Sequence, residues 1–112
     1  MLPVIEIRTY QLHPGAAARF HQTMQQQSMA LLRAAGTDVL AAGPSLENAE
    51  SYMLVRAYAS RAERISTQAA FYQSDAWRHG PHEAVMACIA SYHTLVLEAE
   101  PSLIASMRRL KA

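Results

Sequence analysis

Hydrophobic and polar side chains alternate along the first residues of the chain. The two sides of this run are Ile5, Ile7 and Thr9 against Glu6, Arg8 and Tyr10. A period of two is that of a β-strand whose faces lie in different environments. The pattern therefore predicts a first strand over residues 2–12, ended by His13-Pro14-Gly15.

A helical period replaces this alternation between residues 14 and 35. Apolar side chains recur there at steps of three, four or their multiples, at Ala17, Phe20, Met24, Leu31 and Ala35. The spacing predicts one long amphipathic helix. Gly36 follows its last turn, where a left-handed cap residue is expected.

Three more runs have the character of strands. Residues 38–43 and 51–59 flank a Gly-Pro-Ser loop and predict a hairpin. In the second run the two sides are Met53, Val55 and Ala57 against Tyr52, Leu54, Arg56 and Tyr58. Residues 91–98 are rich in β-branched and aromatic side chains and predict the last strand.

A second helical region is predicted between the hairpin and the last strand. Ser60 and Glu63 have the spacing of a capping box, so a helix is expected to begin at Ser60. It should stop or bend near Ser74-Asp75. Gly80-Pro81 interrupts the backbone again before another helical turn or two over residues 83–89.

The order strand, helix, strand, strand, helix, strand indicates an α+β fold, the ferredoxin-like βαββαβ sandwich. Such a fold has an antiparallel four-stranded sheet with two helices on one face. We expect the domain to span residues 1–100, followed by a tail over 101–112 that is either a short helix or a loose segment.

The other face of this sheet would be left uncovered by the chain. We expect it to carry apolar and aromatic side chains, drawn from Tyr10, Tyr52, Leu54, Tyr58 and Tyr92 or their neighbours. Because such a face usually needs a partner, we predict a homodimer whose two sheets pack face to face.

Composition narrows the classes of function. Of the 112 residues 51% are hydrophobic and 17% charged, the balance of one folded domain rather than a disordered chain. The formal charge is +1, and the basic cluster of Arg108, Arg109 and Lys111 is too small for a nucleic-acid-binding face. No apolar stretch approaches bilayer length, and no signal peptide is apparent. With Cys88 as the lone cysteine, we expect a cytoplasmic protein without nucleic-acid or membrane partners.

Three segments resemble one protein family. Residues 5–15 (IEIRTYQLHPG) resemble the first strand and Pro-Gly helix start of NIPSNAP-family domains. Residues 58–64 (YASRAER) and 74–78 (SDAWR) resemble that family's second-helix region with its characteristic tryptophan. The resemblance covers about residues 4–98. It implies a dimeric α+β barrel, the architecture shared with the antibiotic-biosynthesis monooxygenases, and it implies no established reaction.

The densest chemistry lies where the second helix is broken, because the cleft between helices and sheet is the natural pocket of such a sandwich. Tyr72 and Trp77 are predicted to form an aromatic wall for a planar ligand, and Arg78 to hold its anionic group. His79 or His82 is the candidate for moving a proton near neutral pH. Alternatively, Trp77 merely caps the core at the break, with Arg78 and His79 solvated.

Charged and aromatic side chains also share one side of two strands. Glu6, Arg8 and Tyr10 lie on one side of the first strand, and Arg56 and Tyr58 can face them from a neighbouring strand. One interpretation is a buried ionic network at the dimer seam. The other is a polar pocket floor with Tyr10 beside the ligand, in which Arg8 or Arg56 orients a carboxylate.

No metal or cofactor is predicted. His79 and His82 are three residues apart, but Gly80-Pro81 between them breaks the helix that would place them on one face. No third ligand is fixed by the sequence, and haem is not expected either. Cys88 stands in an apolar helical stretch and is expected to be inert core.

Three functions remain open. The first is a NIPSNAP-like homodimer that binds a small apolar or aromatic molecule in the cleft between helices and sheet. The second is a cofactor-independent monooxygenase or isomerase that uses Tyr72, Trp77 and His79 or His82 on an aromatic substrate. The third is a protein-interaction scaffold, which a filled interior would favour.

Overall fold

Four strands form one antiparallel sheet in the order β2-β3-β1-β4. In the computed structural model, which describes residues 2–110, they are β1 (Val4–Leu12), β2 (Asp38–Pro44), β3 (Ser51–Tyr58) and β4 (Ile89–Glu98). Each predicted strand is present with small shifts at its ends. The predicted α+β fold with an antiparallel four-stranded sheet is confirmed.

The alternation along the strands sorts their side chains between two faces of the sheet. Glu6 lies opposite Arg56, and Tyr10 lies between Tyr52 and Tyr92. All five are on the face that packs against the helices, which we call the helix face. The opposite face, the second face, carries the intervening positions, among them Ile5, Ile7, Met53, Val55, Leu95 and Leu97.

Of the two sets named for the uncovered face, the tyrosines with Leu54 are wrong, and their strand neighbours are the residues that lie there. Tyr10, Tyr52 and Tyr58 are buried on the helix face, as is Leu54, and Tyr92 lies on the same face. The reason is that both faces of these strands carry apolar side chains. The alternation therefore separates the two faces without indicating which of them the helices cover.

The first helical segment is continuous, but its hydrogen-bond pattern changes in the middle. Helix α1 (Ala17–Thr23) runs into a π-helical turn (Met24–Ser28) and then into α2 (Met29–Ala34). Gly36 follows with a φ of 89°, the left-handed conformation that was expected there.

The predicted apolar stripe is right in the first half of this segment and only partly right in the second. Phe20 and Met24 are buried as predicted, Leu31 is half-buried against the core beside the buried Leu32, and Ala35 is exposed. A π turn closes its hydrogen bonds one residue later than an α turn. The extra residue moves the buried stripe along by one position.

The second helical region consists of three pieces: α3 (Arg61–Gln73), α4 (Asp75–Arg78) and α5 (His82–Cys88). Ser60 caps α3, and its Oγ accepts a hydrogen bond from the Glu63 N–H at 3.1 Å. The break at Ser74 and the interruption at Gly80-Pro81 are both found where they were predicted. These breaks turn α4 and α5 across one end of the helix face.

The predicted tail contains one more helix, α6 (Pro101–Met107). Residues 1, 111 and 112 lie outside the described residues, and with them Lys111 of the predicted basic cluster. Ile104 and Met107 of α6 pack on the second face, against a cluster that contains Ile5, Leu40, Ala41, Val55 and Ala57. Arg108 donates two hydrogen bonds to the Asp38 carboxylate, at 2.7 and 2.9 Å, which ties the end of α6 to β2.

Helix α6 covers the second face over β1, β2 and β3 and leaves the part on the edge strand β4, which we call the bare end, uncovered. Leu95 and Leu97 of β4 remain 54% and 41% exposed. The face expected to be uncovered is therefore partly covered by the chain itself. None of the helices within residues 2–110 combines the length and the apolar character needed to cross a membrane.

Candidate functional site

A cleft of about 410 Å³ opens between the helix face of the sheet and the broken second helical region. Side chains of β1, β4, α3, α4 and α5 line it. Its volume falls within the range of small-molecule sites, roughly 300–1,000 Å³. Met86 and Tyr92 line the cleft and are themselves about half exposed, so they mark its mouth.

Helix α5 supplies one wall through its helical spacing. His82, Val85 and Met86 follow the pattern i, i+3, i+4, which places them on one face of the helix, and Ile89, the first residue of β4, continues this wall of the cleft. Ala87 lies off this face and is exposed. Helix α5 therefore presents an apolar wall with one imidazole at its beginning.

Trp77 forms the centre of an aromatic cluster at the break between α3 and α4. Its ring centroid lies 5.4 Å from Phe71, 5.5 Å from Tyr72 and 5.7 Å from His82. The Oγ of Ser74 accepts a hydrogen bond from the Trp77 backbone N–H at 3.3 Å, which fixes the start of α4. Trp77 is 7% exposed, so it is part of the core and a wall of the cleft at the same time.

A buried ionic network lies beneath the cleft. Glu6 and Arg56 are both fully buried. Arg56 donates to Glu6 Oε1 through Nε at 3.0 Å and through Nη2. The second carboxylate oxygen, Oε2, accepts from Arg64 Nε at 2.7 Å and from Gln68 Nε2 at 2.5 Å. The network is buried, as one interpretation expected, but it lies on the helix face and not on the face predicted to pair in a dimer.

The hydroxyl of Tyr72 connects this network to the cleft. It accepts a hydrogen bond from Arg56 Nη1 at 3.0 Å and one from Arg8 Nη1 at 3.4 Å. Arg8 also donates from Nε to Thr94 Oγ1 at 3.1 Å, and its Cζ lies 5.0 Å from the centre of the Tyr92 ring. Tyr72 and Arg8 thus form the polar end of a mostly apolar cleft.

Burial and charge together set the protonation of this end. Burial alone would raise the pKa of Glu6, but the charges of Arg56 and Arg8 and the Gln68 hydrogen bond outweigh it and hold the pKa below 4.5. Burial raises the pKa of the Tyr10 phenol to about 12. At neutral pH Glu6 is therefore a carboxylate and Tyr10 a neutral hydroxyl.

The structure brings five of the eight residues predicted for the site to the lining of the cleft, namely Arg8, Tyr10, Tyr72, Trp77 and His82. Arg56 lies directly behind Tyr72 and touches the cleft only through it. Arg78 and His79 are exposed and are not among the lining side chains.

Gln68, Val85, Met86, Ile89 and Tyr92 also line the cleft, and the sequence had not assigned them to the site. The spacing of polar residues along α3 could have identified Gln68 from the sequence. Arg64, Gln68 and Tyr72 recur every four residues along α3, a polar stripe that faces the sheet.

The part of the chain that the structure describes holds no group of three His, Cys, Asp or Glu side chains placed to bind a metal ion. His79 and His82 are both exposed, on either side of the Gly80-Pro81 break. Cys88 is a buried free thiol in the core cluster on the helix face.

Solved structures share this fold. A NIPSNAP-like domain protein from Burkholderia xenovorans is 15% identical, with a TM-score of 0.79 over 88% of this chain and 86% of that one. A NIPSNAP family protein from Agrobacterium tumefaciens is 13% identical, with a TM-score of 0.81 over 89% and 88%. A putative antibiotic biosynthesis monooxygenase from Bordetella bronchiseptica is 22% identical, with a TM-score of 0.68 over 88% and 98%.

At these identities the likeness establishes the fold alone. No curated protein sequence matches the chain. The family model of NIPSNAP, however, matches residues 5–102. That range holds the four strands except for Val4, the cleft and the three segments on which the resemblance was based, so the resemblance is confirmed and the chain belongs to the NIPSNAP family.

Proposed function

We propose that this chain binds a small aromatic molecule in the cleft between the helices and the sheet. The cleft itself carries the proposal: about 410 Å³ of space with the rings of Tyr72, Trp77 and Tyr92 on its walls and Arg8 at its polar end. Apolar walls with a few placed polar groups are typical of small-molecule sites. An open cleft also favours this function over that of a scaffold with a filled interior.

The lone tryptophan provides a direct test. Trp77 is the only tryptophan of the sequence and lines the cleft, so its indole N–H gives one resonance that reports on this site. We expect titration with naphthol to shift that resonance and to quench the fluorescence of Trp77. If neither naphthol nor other neutral fused aromatic compounds shift the Trp77 indole resonance, the proposal is overturned.

A pair of variants on α5 serves as a matched control. Met86→Trp narrows the mouth of the cleft, whereas Ala87→Trp adds the same ring at an exposed position off the lining face. Calorimetry should find naphthol binding weakened by Met86→Trp and retained by Ala87→Trp. Equal effects of the two variants would place the binding elsewhere.

We also propose that the functional unit is a homodimer. The bare end of the second face is apolar, with Leu95 and Leu97 exposed and with Ile7 and Met53 half-buried beside them. Contiguous apolar surface of this kind is rarely left exposed on a soluble chain. A two-fold pairing of identical patches would cover both copies at once.

A cofactor-independent monooxygenase or isomerase is the second candidate. The observation that favours it is the Tyr72 hydroxyl, held by two guanidinium groups at the polar end of the cleft, where it can exchange a proton with a bound molecule. His82 stands at the mouth beside Trp77.

With an aromatic compound that binds, the variants His82→Ala and Trp77→Phe should keep the fold, which circular dichroism would check, and should abolish turnover. Unchanged turnover in both variants would contradict the enzymatic role of these residues.

A further inference from the structure

The charges beneath the cleft do not balance. Glu6 faces three guanidinium groups: Arg56 in direct contact, Arg64 at 2.7 Å and Arg8 at 3.8 Å. Within residues 2–110 no other carboxylate lies within 4.0 Å of these three arginines. The network therefore carries excess positive charge in a largely buried setting, where electrostatic attraction is stronger than in water.

Arg8 is the member of the network through which this charge reaches the cleft. Its Nη2 lies 3.8 Å from Glu6, beyond hydrogen-bond distance, whereas Arg56 and Arg64 bond the carboxylate directly. A guanidinium has five N–H donors, so Arg8 keeps donors free after its bonds to Thr94 and Tyr72. The Tyr92 ring beside its Cζ restricts the orientation of the guanidinium.

The Tyr72 hydroxyl adds a donor of fixed direction. Both of its lone pairs accept hydrogen bonds, from Arg8 and from Arg56, so its own proton is left to be donated. Tyr10, a neutral hydroxyl whose pKa burial raises to about 12, lines the same end. The polar end of the cleft thus presents positive charge and hydroxyl donors beside aromatic walls.

We propose that the cleft selects an aromatic carboxylate, with its ring against Trp77 and its carboxylate bound by the Arg8 guanidinium and the Tyr72 hydroxyl. This inference rests on the proposed binding function and gives it a substrate class. A guanidinium fork matches the two oxygens of a carboxylate, and such charge-assisted bonds are about twice as strong as neutral ones. An uncharged aromatic of the same shape would gain the ring contacts without the charge-assisted bonds.

The test compares naphthoate with its uncharged analogue naphthamide at neutral pH, followed through the Trp77 indole resonance. We expect the wild-type protein to bind naphthoate about ten-fold more tightly, as a charge-assisted bond predicts. In Arg8→Gln this preference should disappear, because naphthoate loses a charge-assisted bond whereas naphthamide loses at most a hydrogen bond to its neutral carbonyl. Arg8→Lys, which keeps the charge without the fork, should retain part of the preference.

Arg19→Gln is the matched control, because Arg19 is an exposed arginine of α1 outside the cleft lining. It should keep the full preference for naphthoate. Equal binding of the two probes to the wild type, or an undiminished preference in Arg8→Gln, would overturn this inference and leave the proposed binding function standing. If neither probe moves the indole resonance, both proposals fail together.

Discussion

Two opposing effects act on the charge of the fully buried Glu6 carboxylate. Burial penalises its charge, and Arg56, Arg64 and Gln68 compensate for that penalty by direct hydrogen bonds. Paired buried charges add little net stability, but the loss of one partner leaves the other charge buried and uncompensated. Glu6 is the only carboxylate of the described network, so the network depends on it.

We expect Glu6→Gln to lower the free energy of unfolding by about 3 kcal/mol at neutral pH, the cost of breaking a buried ion pair. The pKa of Glu6 is held below 4.5 in the folded chain. The stability that its charge contributes is therefore complete above that pH and is lost as pH falls through the lower folded value. The gap between wild type and Glu6→Gln should narrow in acid, as urea unfolding at a series of pH values would show.

Glu47→Gln provides the comparison for this prediction. Glu47 is an exposed loop residue, and its side chain makes no ion pair within the described part of the chain. Its replacement should change the free energy of unfolding little at any pH. A gap between wild type and Glu6→Gln that stays constant down to acid pH would show that the carboxylate charge is not what stabilises the fold.

At the scale of elements, the strands were predictable because their period is simple and their ends carry turn residues. The side on which Glu6, Arg8 and Tyr10 lie together follows from alternation alone. That this charged side is the buried one does not follow, since charges usually face water. Only the partner positions on β3 and α3, brought together by the fold, make its burial acceptable.

The helices show a second limit of sequence patterns. Helix α3 turns a polar stripe toward the sheet, and Phe71 is its only buried residue, so an apolar stripe does not mark its inner face. The π turn at Met24–Ser28 displaces the stripe of the first helical segment by one position. Both features depend on tertiary packing, so local periodicity could not predict them. Gly36, whose role is local, was predicted correctly.

In the candidate site too, the sequence identifies the segment but not which of its side chains come together. The segment from Tyr72 to His82 carries enough aromatic and basic side chains to be recognised from sequence. Which of them meet depends on how α4 and α5 turn after the breaks at Ser74 and Gly80-Pro81. Trp77 and His82 line the cleft, whereas Arg78 between them does not. Where a helix is broken, residues that are close in sequence need not have their side chains on the same side.

At the scale of the whole molecule, the two faces of the sheet carry different features. The helix face holds the cleft and its ionic network. The second face is divided between α6, tied to β2 by Arg108 and Asp38, and the bare apolar end on β4. A partner copy would need to cover only this bare end, without touching the cleft on the opposite side.

The proposed homodimer can therefore be broken without damage to the binding site. Leu95 projects from the second face and is 54% exposed in the single chain. Leu95→Glu places a charge where two copies would bury it against Ile7 and Leu97, so we expect light scattering to give a monomer mass, against a dimer mass for the wild type. Leu46→Glu, at an exposed leucine outside the sheet, should stay dimeric. Because the cleft lies on the other face, naphthol should still shift the Trp77 resonance in Leu95→Glu. A monomeric wild type, or an unchanged dimer in Leu95→Glu, would show that this patch does not pair two copies.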